Sequence, residues 1–186
     1  MKVLITGCGR SGTGYAAMAL QSVGLKVGHE NIDANGTSDW RAVLWGPTFL
    51  KKFDLITHQV RHPLKVIASW HVVTPQAWHM VSMATGINLS EPLLRRSMDY
   101  WVRWNLMAES VASETYRVED FRASMGRILD GLPLDWAGLP TVSESYNSLR
   151  GREDHAGVLT WSDLEGVDAG LTKEIRELAS RYGYDG

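Results

Sequence analysis

The sequence contains a single cysteine, Cys8, so an internal disulfide bond is impossible. No run of residues approaches the roughly 18 apolar residues that a membrane-spanning helix requires. The apolar segment after Met1 has the length of a strand and lacks the longer apolar region of a signal peptide. We therefore expect a cytoplasmic protein without a membrane span.

The chain also lacks a large excess of positive or negative charge. Its formal net charge is −2, and charged residues make up 22% of the sequence. This composition lacks the basic excess typical of nucleic-acid binding, so any anion site has to be local. The six histidines, at positions 29, 58, 62, 71, 79 and 155, are scattered without metal-ligand spacing, and we expect no metal. A chain of 186 residues with 44% hydrophobic residues favours one domain over residues 1–186.

The first twenty residues carry the clearest pattern. Residues 2–6 form an apolar run that predicts a buried strand, and residues 15–23 predict a helix that ends at Gly24. Between them lie four glycines in eight residues, together with Arg10. Glycines let backbone N–H groups converge on a ligand, and a helix N-terminus adds partial positive charge. The sequence therefore predicts a site for a phosphate-like group. For Cys8, which lies in this loop, a packing role is favoured over that of a nucleophile.

Strand patterns alternate with helical patterns along the rest of the chain, which predicts an α/β fold with a mainly parallel sheet. Residues 33–38 are rich in turn formers and predict a loop. Residues 72–89 fit either a helix or an irregular loop. The remaining predicted strands cover residues 25–27, 53–60 and 115–118, and the remaining helices cover residues 39–45, 64–70, 93–112, 119–129 and 171–182.

Two general nucleotide motifs fit the glycine loop in part. Gly7 and Gly12 have Walker A spacing, but Thr13 stands where that motif has its phosphate-binding lysine. The same residues also match the dinucleotide pattern G-x-G-x-x-G, and Glu30, eighteen residues after Gly12, is placed to bind a ribose. A nucleotide-dependent phosphotransferase, an NAD(P)-binding Rossmann protein and a nucleotide-binding module without catalysis therefore stay open as alternatives.

Three segments resemble one family. Residues 10–13, Arg-Ser-Gly-Thr, resemble the [KR]-S-G-T loop of sulfotransferases that use 3′-phosphoadenosine-5′-phosphosulfate (PAPS). Arg61, followed eight residues later by Ser69, is similar to the segment of that family that binds the 3′-phosphate. Residues 116–121 resemble its strand-to-helix junction. The resemblance implies a P-loop NTPase-like three-layer sandwich, a central sheet flanked by helices, and sulfuryl transfer from PAPS as co-substrate without a metal.

The resemblance also implies the donor site. Tyr15 falls where family members stack an aromatic ring on adenine, although a helix-core tyrosine is an equal alternative. Gly14 and His62 depart from the family, which often has threonine and aspartate there. Arg150 and Arg152 are a loose analogue of a C-terminal 3′-phosphate segment, or else part of a solvated loop. The implied donor-binding residues are Gly9, Arg10, Ser11, Gly12, Thr13, Gly14, Tyr15, Arg61, Ser69, Arg150 and Arg152.

Catalysis by this family requires a general base and stabilisation of the leaving oxygen. Arg10 is predicted to stabilise the leaving group. Glu30 is the favoured base and His29 the second candidate; for Glu30 the alternative is an ion pair with Arg10 or Arg61, and for His29 a surface position at a strand end. The acceptor is expected to be a hydroxyl or amine of a small molecule or glycan. Because the chain is short for this family, we expect an acceptor pocket that is either open or completed by the second subunit of a homodimer.

Overall fold

A central sheet of five parallel strands organises the chain. The computed structural model describes residues 1–70, 73–138 and 158–184. The strands run in the order β2-β3-β1-β4-β5, and every neighbouring pair is parallel. They cover Val3–Thr6 (β1), Gly28–His29 (β2), Gly36–Ser38 (β3), Leu55–Val60 (β4) and Glu114–Arg117 (β5). The predicted α/β class with a mainly parallel sheet is confirmed.

Helices follow most of these strands. The longest, α5, forms because apolar residues recur at helical spacing, which leaves one buried face along its whole length. The α-helices cover Thr13–Ser22 (α1), Pro47–Leu50 (α2), Pro63–Ser69 (α3), Pro75–Thr85 (α4), Leu93–Val111 (α5), Phe121–Ile128 (α6), Trp161–Val167 (α7) and Ala169–Arg181 (α8). Short 3₁₀ helices cover Trp40–Leu44, Val118–Asp120 and Trp136–Gly138.

The two faces of the sheet are both covered. Successive side chains of a strand point to opposite faces. Val3 and Ile5 of β1 pack with residues of α1 and α6, whereas Leu4 packs with Ala42 and the region around α2. A third apolar cluster joins the end of β4 to α3, α4, α5, α7 and α8. The chain thus forms three layers, with the sheet between two sets of helices, as expected.

The sequence prediction was wrong about the edge that contains β2 and β3. The second strand lies at Gly28–His29 and not at residues 25–27, and β3 occupies part of the segment predicted as a loop. Gly36 has a φ of 123°, and a Cβ there would lie 1.9 Å from the Val3 carbonyl oxygen. The glycine that suggested a turn is therefore required by the close approach of β3 to β1.

Three α-helices were missed or left ambiguous by the sequence, one of them the four-residue α2. The ambiguous segment 72–89 contains α4, which begins after Thr74, whose hydroxyl accepts a hydrogen bond from the Ala77 N–H. Helix α7 was missed, although Thr160 and Asp163 form a capping box at its start. Within the described ranges, no helix is both long enough and apolar enough to cross a membrane.

Candidate functional site

The carboxyl ends of the parallel strands border a cleft of about 560 Å³. Ligands of open α/β sheets bind in this position, where successive strand-to-helix loops diverge. The cleft is lined by the loop after β1 and the start of α1, by the residues that follow β2, β3 and β4, and by α4. Its lining residues are Gly9, Arg10, Gly12, Thr13, Gly14, Tyr15, His29, Glu30, Trp40, Arg41, Arg61, Trp70, Val73, Thr74, Gln76, Ala77 and Met80.

The loop after β1 ends in the N-terminus of α1. Gly12 is the N-cap, with a φ of 98°, and Ala16 is the first residue whose N–H bonds back to it. The N–H groups of the preceding first turn, at Thr13 and Gly14, have no partner within the helix, as at any helix N-terminus. Both residues line the cleft, so this end of the cleft offers backbone donors and the positive end of a helix dipole.

Aromatic side chains hold the loop from its buried side. The Gly9 N–H donates to the Tyr100 hydroxyl at 2.7 Å, and the Trp70 indole N–H donates to the Gly9 carbonyl at 2.9 Å. Trp70 and Tyr100 are fully buried, and their ring centroids lie 3.6 Å apart. Both backbone groups of Gly9 are therefore fixed by side chains of α5 and of the residue that follows α3.

A second buried chain of hydrogen bonds supports the loop from β4. The Gln59 side-chain amide donates to the Ser11 carbonyl at 3.0 Å, and the Tyr116 hydroxyl donates to the Gln59 side-chain oxygen at 2.9 Å. Ser11 is itself buried, and within the described part of the chain its hydroxyl has no hydrogen-bond partner. The sequence analysis missed Gln59, although a polar amide inside a predicted apolar strand could have indicated its role.

Arg10 and Arg61, the two arginines predicted to bind the donor, lie at the same end of the sheet. Strands β1 and β4 are neighbours, with Thr6 opposite His58, so the residues after them are brought together. The Arg61 guanidinium donates through Nη1 to the Arg10 carbonyl oxygen at 3.1 Å. Arg10 has a left-handed backbone, with a φ of 73°, and both arginines line the cleft.

Four of the other predicted donor residues are not clearly placed in the site. The Ser69 hydroxyl donates to the Lys65 carbonyl of its own helix at 2.8 Å, and Ser69 does not line the described cleft. Tyr15 borders the cleft but is only 6% exposed, and its ring packs edge-on against Phe121 at 5.2 Å, within the core beside α6. Arg150 and Arg152 lie outside the described residues. The donor-binding roles of these four residues stay predictions.

Both base candidates lie at the end of β2. The His29 Nε2 atom is 3.5 Å from the Thr13 hydroxyl and 3.8 Å from the Glu30 carboxylate. One Glu30 carboxylate oxygen accepts from the Trp40 indole N–H at 3.1 Å, and the other is 3.7 Å from Arg41. Glu30 thus lies within ion-pair distance of His29 and of Arg41, and the sequence analysis did not single out Arg41.

Cys8 lies below the loop and lines no part of the described cleft. Its side chain is 1% exposed, and the thiol lies 3.8 Å from the Trp101 carbonyl oxygen. Burial raises the pKa of the Cys8 thiol well above its ordinary value, which disfavours the thiolate that a nucleophile needs. The geometry fits the packing role.

The α4 side of the cleft is mixed in polarity. Val73, Ala77 and Met80 are apolar and partly exposed, whereas Thr74 and Gln76 of the same segment are polar and exposed. The site therefore combines an anion-binding end, built from the loop and arginines, with a side of mixed polarity. Among the described residues no group of three or more histidine, cysteine or acidic side chains is placed to hold a metal ion.

No family model and no curated protein matches the sequence. Among solved structures, the sulfotransferase domain from the curacin biosynthetic pathway is similar to this chain, with 14% sequence identity and a TM-score of 0.49. The alignment covers 99% of this chain and 98% of that domain.

Proposed function

We propose that this protein is a sulfotransferase that moves a sulfuryl group from PAPS to a hydroxyl or amine acceptor. The observation that carries the proposal is the 3.1 Å hydrogen bond from the Arg61 guanidinium to the Arg10 carbonyl. It brings the two arginines of the resembling motifs, which lie 51 positions apart in sequence, to one cleft. A donor with phosphates at both ends of a nucleoside requires such a pair of cationic groups.

The cleft fits a nucleotide in size and chemistry. Its volume of about 560 Å³ lies within the roughly 300–1,000 Å³ usual for small-molecule sites. The N–H groups at the start of α1 and the Arg10 side chain would bind the 5′-phosphosulfate, with the Thr13 hydroxyl as a further donor. Arg61 would bind the 3′-phosphate, the group that distinguishes PAPS from ordinary adenine nucleotides.

The reaction would be a direct displacement at sulfur. The acceptor oxygen or nitrogen forms a bond to sulfur while the bond from sulfur to the bridging oxygen of the phosphosulfate breaks, and adenosine 3′,5′-bisphosphate leaves. Glu30 takes the acceptor's proton, and Arg10 with the loop amides stabilises the charge that develops on the bridging oxygen. His29, beside both Glu30 and Thr13, is the alternative base. The mixed polar and apolar side of the cleft on α4 would contact the acceptor.

Two observations disfavour the other nucleotide enzymes. Thr13 replaces the lysine with which Walker A enzymes neutralise β- and γ-phosphates. In dinucleotide-binding folds the strand that carries the ribose-binding acid is next to the first strand, with the order 3-2-1-4-5-6. Here β3 separates β2, and with it Glu30, from β1.

Ligand-dependent thermal stability tests the proposal. The melting temperature of the full chain is measured with adenosine 3′,5′-bisphosphate, with ATP and Mg²⁺, and with NAD(P). We expect the bisphosphate to give the largest stabilisation, since a ligand at about 100 times its Kd adds about 2.7 kcal/mol. A preference for ATP or NAD(P) would overturn the assignment. Binding of the bisphosphate without transfer of radiolabelled sulfate to a panel of acceptors would favour the non-catalytic module instead.

A further inference from the structure

Glu30 has an unusual backbone for a residue with a side chain. Its φ is 57°, in the left-handed region, and apart from Arg10 no other described non-glycine residue has a positive φ. Such a conformation is unfavourable for residues with a Cβ and persists only where neighbouring groups impose it. The groups that impose it on Glu30 can be identified from its contacts.

The first part of the restraint is Asp39, which directly follows β3. Its N–H donates to the Ile5 carbonyl at 2.9 Å, so it is anchored on the central strand β1, and it is 2% exposed. Its carboxylate accepts three hydrogen bonds from Arg41: from the backbone N–H at 2.8 Å, from Nε at 2.9 Å and from Nη2 at 2.8 Å. A planar guanidinium held through two of its nitrogens has a fixed orientation.

The second part is the contact of that guanidinium with Glu30. Arg41 Nη2 donates to the Glu30 backbone carbonyl at 2.9 Å and lies 3.7 Å from the Glu30 carboxylate. The Glu30 N–H donates to the Ser38 carbonyl at 3.1 Å, and the Trp40 indole fixes the carboxylate at 3.1 Å. Both the backbone and the side chain of Glu30 are thus held by the last residue of β3 and the segment that follows it.

We infer that Arg41 is a positioning residue for the proposed base, and that it acts through the Asp39–Arg41–Glu30 clamp and not by binding the donor. The inference rests on the proposed function for its catalytic consequence. Lysine cannot replace Arg41 in this role. A single ammonium group cannot donate to both Asp39 carboxylate oxygens, as two guanidinium nitrogens do, and also reach the Glu30 carbonyl in the same geometry. The clamp therefore depends on the guanidinium shape as well as on charge.

The first test reads the position of Glu30 directly and needs no activity. Crystal structures of Arg41→Ala and Arg41→Lys are compared with that of the unmodified protein. In both variants we expect the backbone of residue 30 to leave the left-handed region. We also expect its carboxylate to lose the hydrogen bond from the Trp40 indole N–H. A Glu30 that keeps its φ near 57° and its Trp40 hydrogen bond in either variant would overturn the inference.

The second test separates positioning from substrate binding. Arg41→Ala and Arg41→Lys should each lower kcat by about 10- to 100-fold, as expected for a misplaced catalytic group. The Kd for adenosine 3′,5′-bisphosphate should change by less than about twofold. In a Glu30→Gln background the Arg41 substitutions should have almost no further effect on kcat, because they act through the same group. Arg122→Ala, an exposed arginine on α6, is the matched control.

Three results would overturn the inference: a weakened bisphosphate Kd in the Arg41 variants, a full further loss of kcat in the Glu30→Gln background, or normal kcat in Arg41→Lys. Failure of the proposed function has a different signature, since the unmodified protein would then either not bind the bisphosphate or bind it without transferring sulfate. In that case the crystal structures still decide whether Arg41 holds Glu30.

Discussion

The phenol of Tyr100, near the middle of α5, accepts a 2.7 Å hydrogen bond from the backbone N–H of Gly9. A buried side chain of the longest helix thereby fixes the loop that is proposed to bind the donor. Burial raises the pKa of Tyr100 well above its ordinary value, so the phenol stays neutral and keeps its proton. The position of the loop therefore depends on the packing of α5 against the sheet.

Replacing Tyr100 with phenylalanine tests this dependence. The variant Tyr100→Phe keeps the ring but leaves the buried Gly9 N–H without an acceptor, which we expect to lower the free energy of unfolding by about 1–3 kcal/mol. Urea denaturation provides the measurement. The control is Tyr15→Phe, because among the described contacts the Tyr15 hydroxyl makes no hydrogen bond. Equal losses in the two variants would show that the Tyr100 bond contributes no special stability.

Arg61 should recognise the 3′-phosphate specifically. We expect Arg61→Ala to weaken binding of adenosine 3′,5′-bisphosphate by about 10- to 100-fold, the loss typical of a charge-assisted hydrogen bond. Binding of adenosine 5′-monophosphate, which lacks that phosphate, should change much less. Calorimetric titration with both ligands gives the ratio, and Arg122→Ala controls for the loss of a positive charge. Equal weakening of the two ligands would assign Arg61 to another part of the donor.

Glu30 and His29 can be separated as base by paired substitutions. Glu30→Gln is isosteric and cannot accept a proton, so we expect turnover to fall by about 100-fold or more with bisphosphate binding nearly intact. His29→Asn should have a smaller effect on kcat. Steady-state kinetics with a chosen acceptor provide the comparison, and unchanged turnover in Glu30→Gln together with a large loss in His29→Asn would transfer the role to the histidine.

His58 predicts a pH dependence of stability. It is fully buried in β4, with Nε2 at 3.0 Å from the Asn105 side-chain oxygen and Nδ1 at 3.2 Å from the Thr115 hydroxyl. Burial lowers the pKa of His58 to about 4 in the folded state, against about 6.5 in the unfolded chain. The neutral ring therefore contributes stability that is complete above about pH 6.5 and is lost as the pH falls towards 4.

The resulting decrease in the free energy of unfolding is about 3 kcal/mol across that window, to which other titrating groups add their own dependence. Urea denaturation at a series of pH values measures it. The charged groups near His58 are Glu109 and Arg181, which pair with each other, and the edge of the Tyr182 ring packs on the imidazole. His58→Asn should flatten the curve between pH 6.5 and 4, and an unaltered slope in this variant would contradict the assignment. His79→Ala, at an exposed histidine of α4, is the matched control.

Much of the fold could be predicted because its signals are local. The apolar run of β1, the apolar stripe of α5 and the Pro63 at the start of α3 each determine their element within a few residues. The short strands β2 and β3 could not be placed, because two or three residues carry no periodicity. Their position depends on the pairing of β3 with β1, a contact made across more than thirty residues of chain, and on the pairing of β2 with β3.

The site residues likewise fall into those that a local motif predicts and those that it does not. The loop at Arg10 and the strand end at Arg61 carry motifs, so both could be named from the sequence. Other site residues act through contacts that only the folded chain creates, and none of them lies in a sequence motif. They are Gln59, Trp40 and Arg41. Ser69, by contrast, has the expected spacing but bonds within its own helix, which shows that spacing alone does not orient a side chain.

The burial of Cys8 has a practical consequence for attaching a fluorescent probe to α4. Because its thiol is 1% exposed and poorly ionised, the natural cysteine should resist alkylation in the folded protein. A cysteine introduced in place of Met83, which is 77% exposed on α4, would then be the preferred target of a maleimide fluorophore. The protein thus provides a nearly silent background for single-site labelling, and the emission of such a probe could report how α4 responds when the cleft is filled.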